Sequence, residues 1–298
     1  MAHDHHHHHD HSDEKNLSIA FFLNLVFTII EIIGGFFTNS IAILSDALHD
    51  LGDSLSLGLA WYFQRLSKKK GDEYYSYGYK RFSLLGAIIN SIVLIVGSIF
   101  IIIESIKRFQ EPQSTDAKGM MILALLGILF NGIAAWKLHG GHSHNEKVIS
   151  LHLLEDILGW IAVLIGSIII YYTDYTRVDP ILSFTISAFI LYRVLRSLKS
   201  TMGVVLQKFP DNVNRKKVID LLEQESKIIS YHDLHIWSMD GHYNVMTIHI
   251  VIQDNLSDQQ RTKLKQHLRS EFKILKIDHA TIELELVGEE CIFERDHC

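Results

Sequence analysis

Six windows of about 20 apolar residues occupy the first 208 positions, and that length is what crosses a bilayer as a helix. They run from Leu17 to Phe37, Ser40 to Phe63, Phe82 to Ile106, Ala117 to Trp136, Val148 to Tyr172 and Val178 to Met202. No other feature constrains the fold so strongly, because backbone amides in hydrocarbon must be satisfied within the helix itself. The first window is expected to be a retained span, since an acidic, histidine-rich start replaces the positive region of a signal peptide and no small-residue cleavage site follows. Pro112, Pro180 and Pro210 fall at or outside the expected helix ends, where proline is tolerated. Composition agrees with a membrane protein: 48% of the 298 residues are hydrophobic, and mean hydropathy is +0.14. The formal charge of -6 offers no general polyanion-binding surface, so no nucleic-acid partner is expected.

Basic residues in the short loops set the orientation. With a cytosolic N-terminus, the inner side holds nine: Lys15, Arg65, Lys68, Lys69, Lys70, Lys80, Arg81, Lys137 and Lys147. The outer side holds four, Lys107, Arg108, Lys118 and Arg177. Both termini are therefore expected in the cytosol of a protein integral to the plasma membrane.

After Pro210 the pattern changes. Residues Asn212–Ile229 read as an amphipathic helix, His232–Met239 and Tyr243–Gln253 as strands split by Asp240-Gly241, Ser257–Leu275 as a second helix and Ala280–Val287 as a third strand. An αββαβ order predicts a small soluble α+β domain with its helices on one face of the sheet. The expected organisation is a His-rich cytoplasmic tail over 1–16, a six-helix transmembrane domain over 17–208 and a cytoplasmic α+β domain over 209–298.

Several residues within these spans are ones a bilayer should reject. The second span carries Asp46, His49, Asp50 and Asp53 within one arc of roughly 100°, and the fifth carries His152, Glu155 and Asp156. Each mid-membrane acid costs on the order of 2.5 to 3.5 kcal/mol, so three on one span need compensation. His49 with Asp53, and His152 with Asp156, are both i,i+4 pairs that put an imidazole beside a carboxylate on one helical face. At about 1.5 Å per residue, both pairs fall near the midplane of a core about 30 Å thick.

Two imidazoles and two carboxylates make a complete tetrahedral shell for Zn²⁺. Two Asp balance the ion's charge, whereas the emptied dianionic site would take up protons, most easily on the imidazoles. Metal and proton should compete, which is the chemical basis of a metal/proton exchanger. Imidazole donors also argue against Mn²⁺ or Mg²⁺. One HxxxD is a weak signal; two at matching depth are specific.

The paired HxxxD motifs, the segment YSYGYKR after the second span, Asp179-Pro180 opening the sixth, and the C-terminal HDLHIW and HATIELE together resemble the cation diffusion facilitator family, most nearly its bacterial zinc exporters. The likeness runs from about Leu17 to Val287. It implies a homodimeric metal/proton antiporter, a secondary transporter and not an enzyme, with Zn²⁺ as cargo and Cd²⁺ or Co²⁺ as secondary cargo. Carried over, the family's transport site falls on His49, Asp53, His152 and Asp156, with His at the first position accompanying zinc preference. A cytoplasmic regulatory site falls on His232, His249 and Glu285, and a second cytoplasmic cluster could use His279 with Cys291, Cys298 or His297, thiolate being a natural zinc ligand. Some relatives hold metal in the loop after the second span through an Asp and two His; here Asp72 is present but Tyr75 and Tyr79 replace the imidazoles, so that site is expected to be absent.

Of the 19 histidines, many lie in the N-terminal tail and in Lys137–His144, tracts suited to weak metal capture on the cytosolic side. The tail could be a purification tag, but the interleaved Asp4 and Asp10 favour a native segment. Asn24 and Glu31 in the first span are expected to serve structural pairing. Two readings compete with the transporter. A membrane-anchored zinc sensor would act through its C-terminal domain, and a membrane metalloenzyme would need an open coordination position that four protein ligands do not leave.

Overall fold

The computed structural model describes residues 10–138 and 144–289, with side chains described at all of these except 10–21, 23, 57, 60, 61, 64, 137–138 and 144–152. The elements are α1 (Asp10–Thr38), α2 (Ile41–Ser67), α3 (Phe82–Gln110), α4 (Ala117–Leu138), α5 (His144–Thr173), α6 (Val178–Val205), α7 (Arg215–Gln224), β1 (Ile228–Ser238), β2 (Asn244–Ile252), α8 (Asp258–Ile274) and β3 (His279–Glu285). Among the described residues these elements fall into two compact units, one within 10–62 and 86–198 and one within 63–85 and 199–289.

Among the described residues four helices are long and apolar enough to cross a membrane: Phe82–Gln110, Ala117–Trp136, Leu153–Thr173 and Val178–Val205. In α1 the apolar stretch within the described residues is the shorter Asn24–Thr38, while α2 is diluted by its own acids. In the first unit an apolar cluster around Phe27, Met120 and Trp160 is buried, but α3 and α6 also turn small and polar groups inward and large apolar groups outward. The buried positions of α3 include Gly86, Ser91, Ser98 and Ser105, while Ile92, Val96, Phe100 and Ile103 point outward. In α6, Asp179, Ser183 and Ser187 are buried and Phe184, Phe189 and Leu195 exposed. Small and polar groups inside with large apolar groups outside is the arrangement expected where lipid replaces water.

Close helix approach is set at glycines. A Cβ at Gly97 of α3 would fall 2.3 Å from Leu48 of α2, and one at Gly52 of α2 would fall 2.4 Å from Leu94 of α3. Each helix thus drops a leucine onto the other's glycine, directly beside the acidic face of α2. Elsewhere Trp160 of α5 is fully buried, edge-on to Phe27 of α1 with ring centroids 5.6 Å apart.

In the second unit the sheet order is β1-β2-β3, with β1 antiparallel and β3 parallel to β2. Asp240 closes the β1–β2 turn by accepting from the amides of His242 and Tyr243 at 2.9 and 2.7 Å, and Gly241 takes φ +91. A capping box of Ser257 and Gln260 starts α8. Even-numbered β2 residues Met246, Ile248, Ile250 and Ile252 share a core with Val218 and Leu222 of α7 and Leu264, Leu268 and Phe272 of α8. Both helices therefore cover one face, and the odd-numbered face is left for other work.

The helix expected over 212–229 is shorter, and β1 begins four residues before the strand expected from His232. The chain turns after Gln224, and the β-branched Ile228 pairs with Ile252 of β2, so strand pairing overrides the continuing apolar period.

Replacing Gly97 by Val should force Leu48 aside and cost about 1 to 3 kcal/mol of overpacking. The expected result is a lower melting temperature of the detergent-solubilised protein, partly recovered by Leu48→Ala in the same chain; an unchanged melting temperature would remove this contact as a packing determinant.

Candidate metal centres

On α2 the 3.6-residue period stacks Asp46, His49, Asp50 and Asp53 over two turns. Asp46 and Asp50 are buried, His49 and Asp53 half-buried, and His49 Nε2 lies 3.7 Å from Asp53 Oδ2. Asp46 also faces α5, because a Cβ at Gly159 would stand 3.7 Å from its Oδ1, three residues beyond Asp156. Asp156 itself is buried. The side chain of His152 lies outside the described residues, as do Cys291, His297 and Cys298.

Glu31 of α1 belongs to the same neighbourhood. Expected from sequence to be a structural partner, it is fully buried with Asp46, Asp50 and Asp156 as acidic neighbours, and Asp50 in turn neighbours Glu31, Asp46, Asp53 and Asp156. Four carboxyl groups, on Glu31, Asp46, Asp50 and Asp156, thus retain at most 6% exposure. Buried together, these groups must be neutralised, by protons or by a cation. Sequence could flag Glu31 as polar in a span; only packing of α1 on the others could assign it to this group. Glu155, by contrast, turns away to an exposed ion pair with Arg193 of α6.

The second centre lies on the odd-numbered face of the sheet. His232 and His249 are directly opposed across β1 and β2, with rings 5.2 Å apart, and Glu285 of β3 closes the set. His249 Nδ1 lies 2.6 Å from Glu285 Oε1, and His232 Nε2 3.2 Å from Glu285 Oε2. One ligand atom from each of these three residues falls within 4.8 Å of the other two, the spacing a single ion can draw together.

A β-bulge shapes the cluster. The β1–β2 register shifts between His232 and His235, and Asp233 takes φ +50. In a regular strand Asp233 would point away from His232. Here its Oδ2 lies 3.7 Å from His249 Nε2, Glu283 Oε2 is 3.5 Å from the same nitrogen, and Asp233 Oδ1 is 2.7 Å from His235. The other ring nitrogen of His249 thus has two carboxylates within ion-pair distance. Neither Asp233 nor Glu283 is detectable as a neighbour of His249 from sequence, since one depends on a bulge and the other on strand register. His279 stands apart at the start of β3, exposed, its ring edge-on to Tyr77 at 5.8 Å.

In the loop after α2, Asp72 is occupied otherwise. Its Oδ1 accepts from the amides of Tyr74 and Tyr75 at 2.9 Å, and its Oδ2 from the Tyr79 hydroxyl at 2.7 Å. The Tyr79 hydroxyl, then these amides, hold the Asp72 carboxyl below the usual carboxylate range, and the same bond pushes the Tyr79 phenol up.

Residues 17–206 match the family model described as the cation efflux transmembrane domain, and residues 210–286 that of the cation efflux protein cytoplasmic domain. Among curated relatives, a cadmium, cobalt and zinc/H(+)-K(+) antiporter of Bacillus velezensis is 36% identical over 289 residues, covering 96% of this chain and 92% of that protein. The metal cation efflux system protein CzcD of Cupriavidus metallidurans is 33% identical, with 96% and 89% covered. The zinc transporter ZitB of Escherichia coli is also 33% identical, over 298 residues, with 96% and 93% covered.

Because Asp72 is held down in the folded loop, its bonds stabilise the loop above the unfolded carboxyl pKa and are lost as pH falls through the folded one. Tyr79→Phe should therefore raise the Asp72 pKa toward its ordinary value, read by carboxyl-carbon NMR titration; an unmoved pKa would show that the phenol is not the dominant partner.

Proposed function

The chain belongs to the cation efflux family, and from that premise we propose that it is a secondary transporter exporting Zn²⁺ from the cytosol in exchange for protons, with Cd²⁺ and Co²⁺ as secondary cargo. The observation that carries this reading is that His49 and Asp53 share one face of α2 with the buried Asp46 and Asp50, and that Asp46 faces α5 near the buried Asp156. A divalent cation or protons are the compensation such a group requires, and exchange between the two is transport.

The proposed transport site is His49 and Asp53 on α2 with His152 and Asp156 on α5. With Zn²⁺ bound, the four ligands and the ion are together neutral; emptied, the ligand set holds protons on the imidazoles, so loading at the cytosolic side releases protons and unloading outside recaptures them. In this reading all six long helices cross the plasma membrane, α1 and α2 included, and both termini are cytosolic. The chain then divides into a histidine-rich tail over 1–16, a transmembrane domain over 17–208 and a cytoplasmic domain over 209–298.

His232, His249 and Glu285 form a regulatory metal site in that cytoplasmic domain, through which two copies associate as a homodimer. The second set, His279 with Cys291, His297 or Cys298, has weaker support, because His279 stands at the far end of β3 from Glu285. A membrane-anchored sensor working only through the cytoplasmic cluster would have no use for the buried acids.

Inside-out vesicles with an imposed pH gradient test the reading. Asp53→Ala and His152→Ala should each abolish Zn²⁺ uptake and the coupled proton movement, whereas His249→Ala should leave the transmembrane ligands intact and retain flux. Unchanged Zn²⁺ flux in Asp53→Ala would overturn the site. His49→Asp should raise Cd²⁺ uptake relative to Zn²⁺, since removing an imidazole relaxes the donor preference; an unaltered ratio would exclude His49 as a ligand.

A further inference from the structure

We propose that Asp179 is a positioning residue for metal transport, which caps α2 from α6 and so fixes the register at which α2 presents His49 and Asp53. The inference rests on the transport-site reading above, but its observations are separate. The Asp179 carboxylate is fully buried and accepts three hydrogen bonds from the start of α2: the Ser40 hydroxyl at 2.5 Å, the Ile41 amide at 2.9 Å and the Ala42 amide at 3.2 Å. Ser40 in turn accepts from the Ile43 amide at 3.2 Å. The first amides of a helix have no intrahelical partner, and a carboxylate there is favoured by the helix dipole. Here the cap comes from a residue 138 positions away from Ile41, so it ties two helices together while it completes one of them.

The tie continues down α6. Asp179, Ser183 and Ser187 repeat every four residues on its buried face. Ser183 meets Ser105 of α3 at 3.0 Å, and Ser187 meets Ser45 of α2 at 2.7 Å. Ser45 lies one helical turn before His49. Two polar contacts, at Ser40 and Ser45, therefore hold α2 against α6 along the stretch leading to the ligands. The preceding turn is held too: the Asn39 carbonyl accepts from Arg108 at 2.7 Å, and the Thr38 carbonyl from the Asp116 amide at 2.9 Å.

Asp179 cannot itself ligate the transported ion. Ile41 is eight residues from His49, about 12 Å along the helix axis. Its effect must act through the placement of α2. Metal ligands tolerate displacements of only a few tenths of an ångström, and a misplacement of about 1 Å can cost roughly 100-fold in rate.

Purified full-length protein in liposomes, with initial rates normalised to correctly folded protein, tests the proposal. Asp179→Ala should raise the KM for Zn²⁺ on the order of 10-fold or more and shift the Zn²⁺:Cd²⁺ rate ratio. Asp179→Asn, which keeps one acceptor oxygen, should fall between the parent and Asp179→Ala, and Ser40→Ala should add little to Asp179→Ala because both break one unit. If Asp179→Ala does not fold, Asp179→Asn and Ser187→Ala carry the same comparison. A loss of rate with unchanged KM and metal ratio would reduce Asp179 to a folding role, and a displaced pH profile with unchanged KM would make it a proton carrier; either overturns the proposal. Asp53→Ala run in parallel separates the two claims, since residual Zn²⁺ flux there would sink the transport site whatever Asp179 does.

Discussion

Carboxylates buried in an apolar bundle must be compensated, and the membrane part of this protein is arranged around that requirement. Glu31, Asp46, Asp50 and Asp156 come from three helices and have lost nearly all contact with solvent. An uncompensated group of this kind would oppose the packing that creates it. Protons or a cation must supply that compensation, so the packing of the bundle and its state of charge are linked.

Buried acids from three helices stay together only if those helices are held in register, and the lipid-facing architecture limits how that can be done. Apolar contact gains little between helices when the alternative neighbour is a hydrocarbon chain. The first unit instead relies on close approach at Gly52 and Gly97 and on polar groups turned inward from α6. Among these groups Asp179 accepts from the Ile41 and Ala42 amides at the start of α2, which have no partner within the helix.

The sheet of the second unit divides its labour by strand parity. Even-numbered residues of β2 enter the hydrophobic core beneath α7 and α8, leaving the odd-numbered face to carry His249 with Glu283 and Glu285 from β3. The bulge at Asp233 breaks that alternation once, bringing a further carboxylate to His249 at the cost of a left-handed residue.

Much of this was legible in the sequence. Apolar windows of about 20 residues locate the long helices, because hydrocarbon admits few other backbone solutions. The i,i+4 spacing of His49 with Asp53 places both on one face, since local helix geometry alone determines it. The alternation of β2 likewise separates core from site before any partner strand is known. What the sequence could not decide are relations between distant residues: that Glu31 of α1 joins the acids of α2 and α5, that Asp233 turns toward His249, that Glu155 leaves the cluster for Arg193, and that Asp179 caps α2. Local patterning fixes which face of an element a residue occupies. Only tertiary packing decides what that face meets, because it depends on helix crossings, strand register and one bulge that no short-range period encodes.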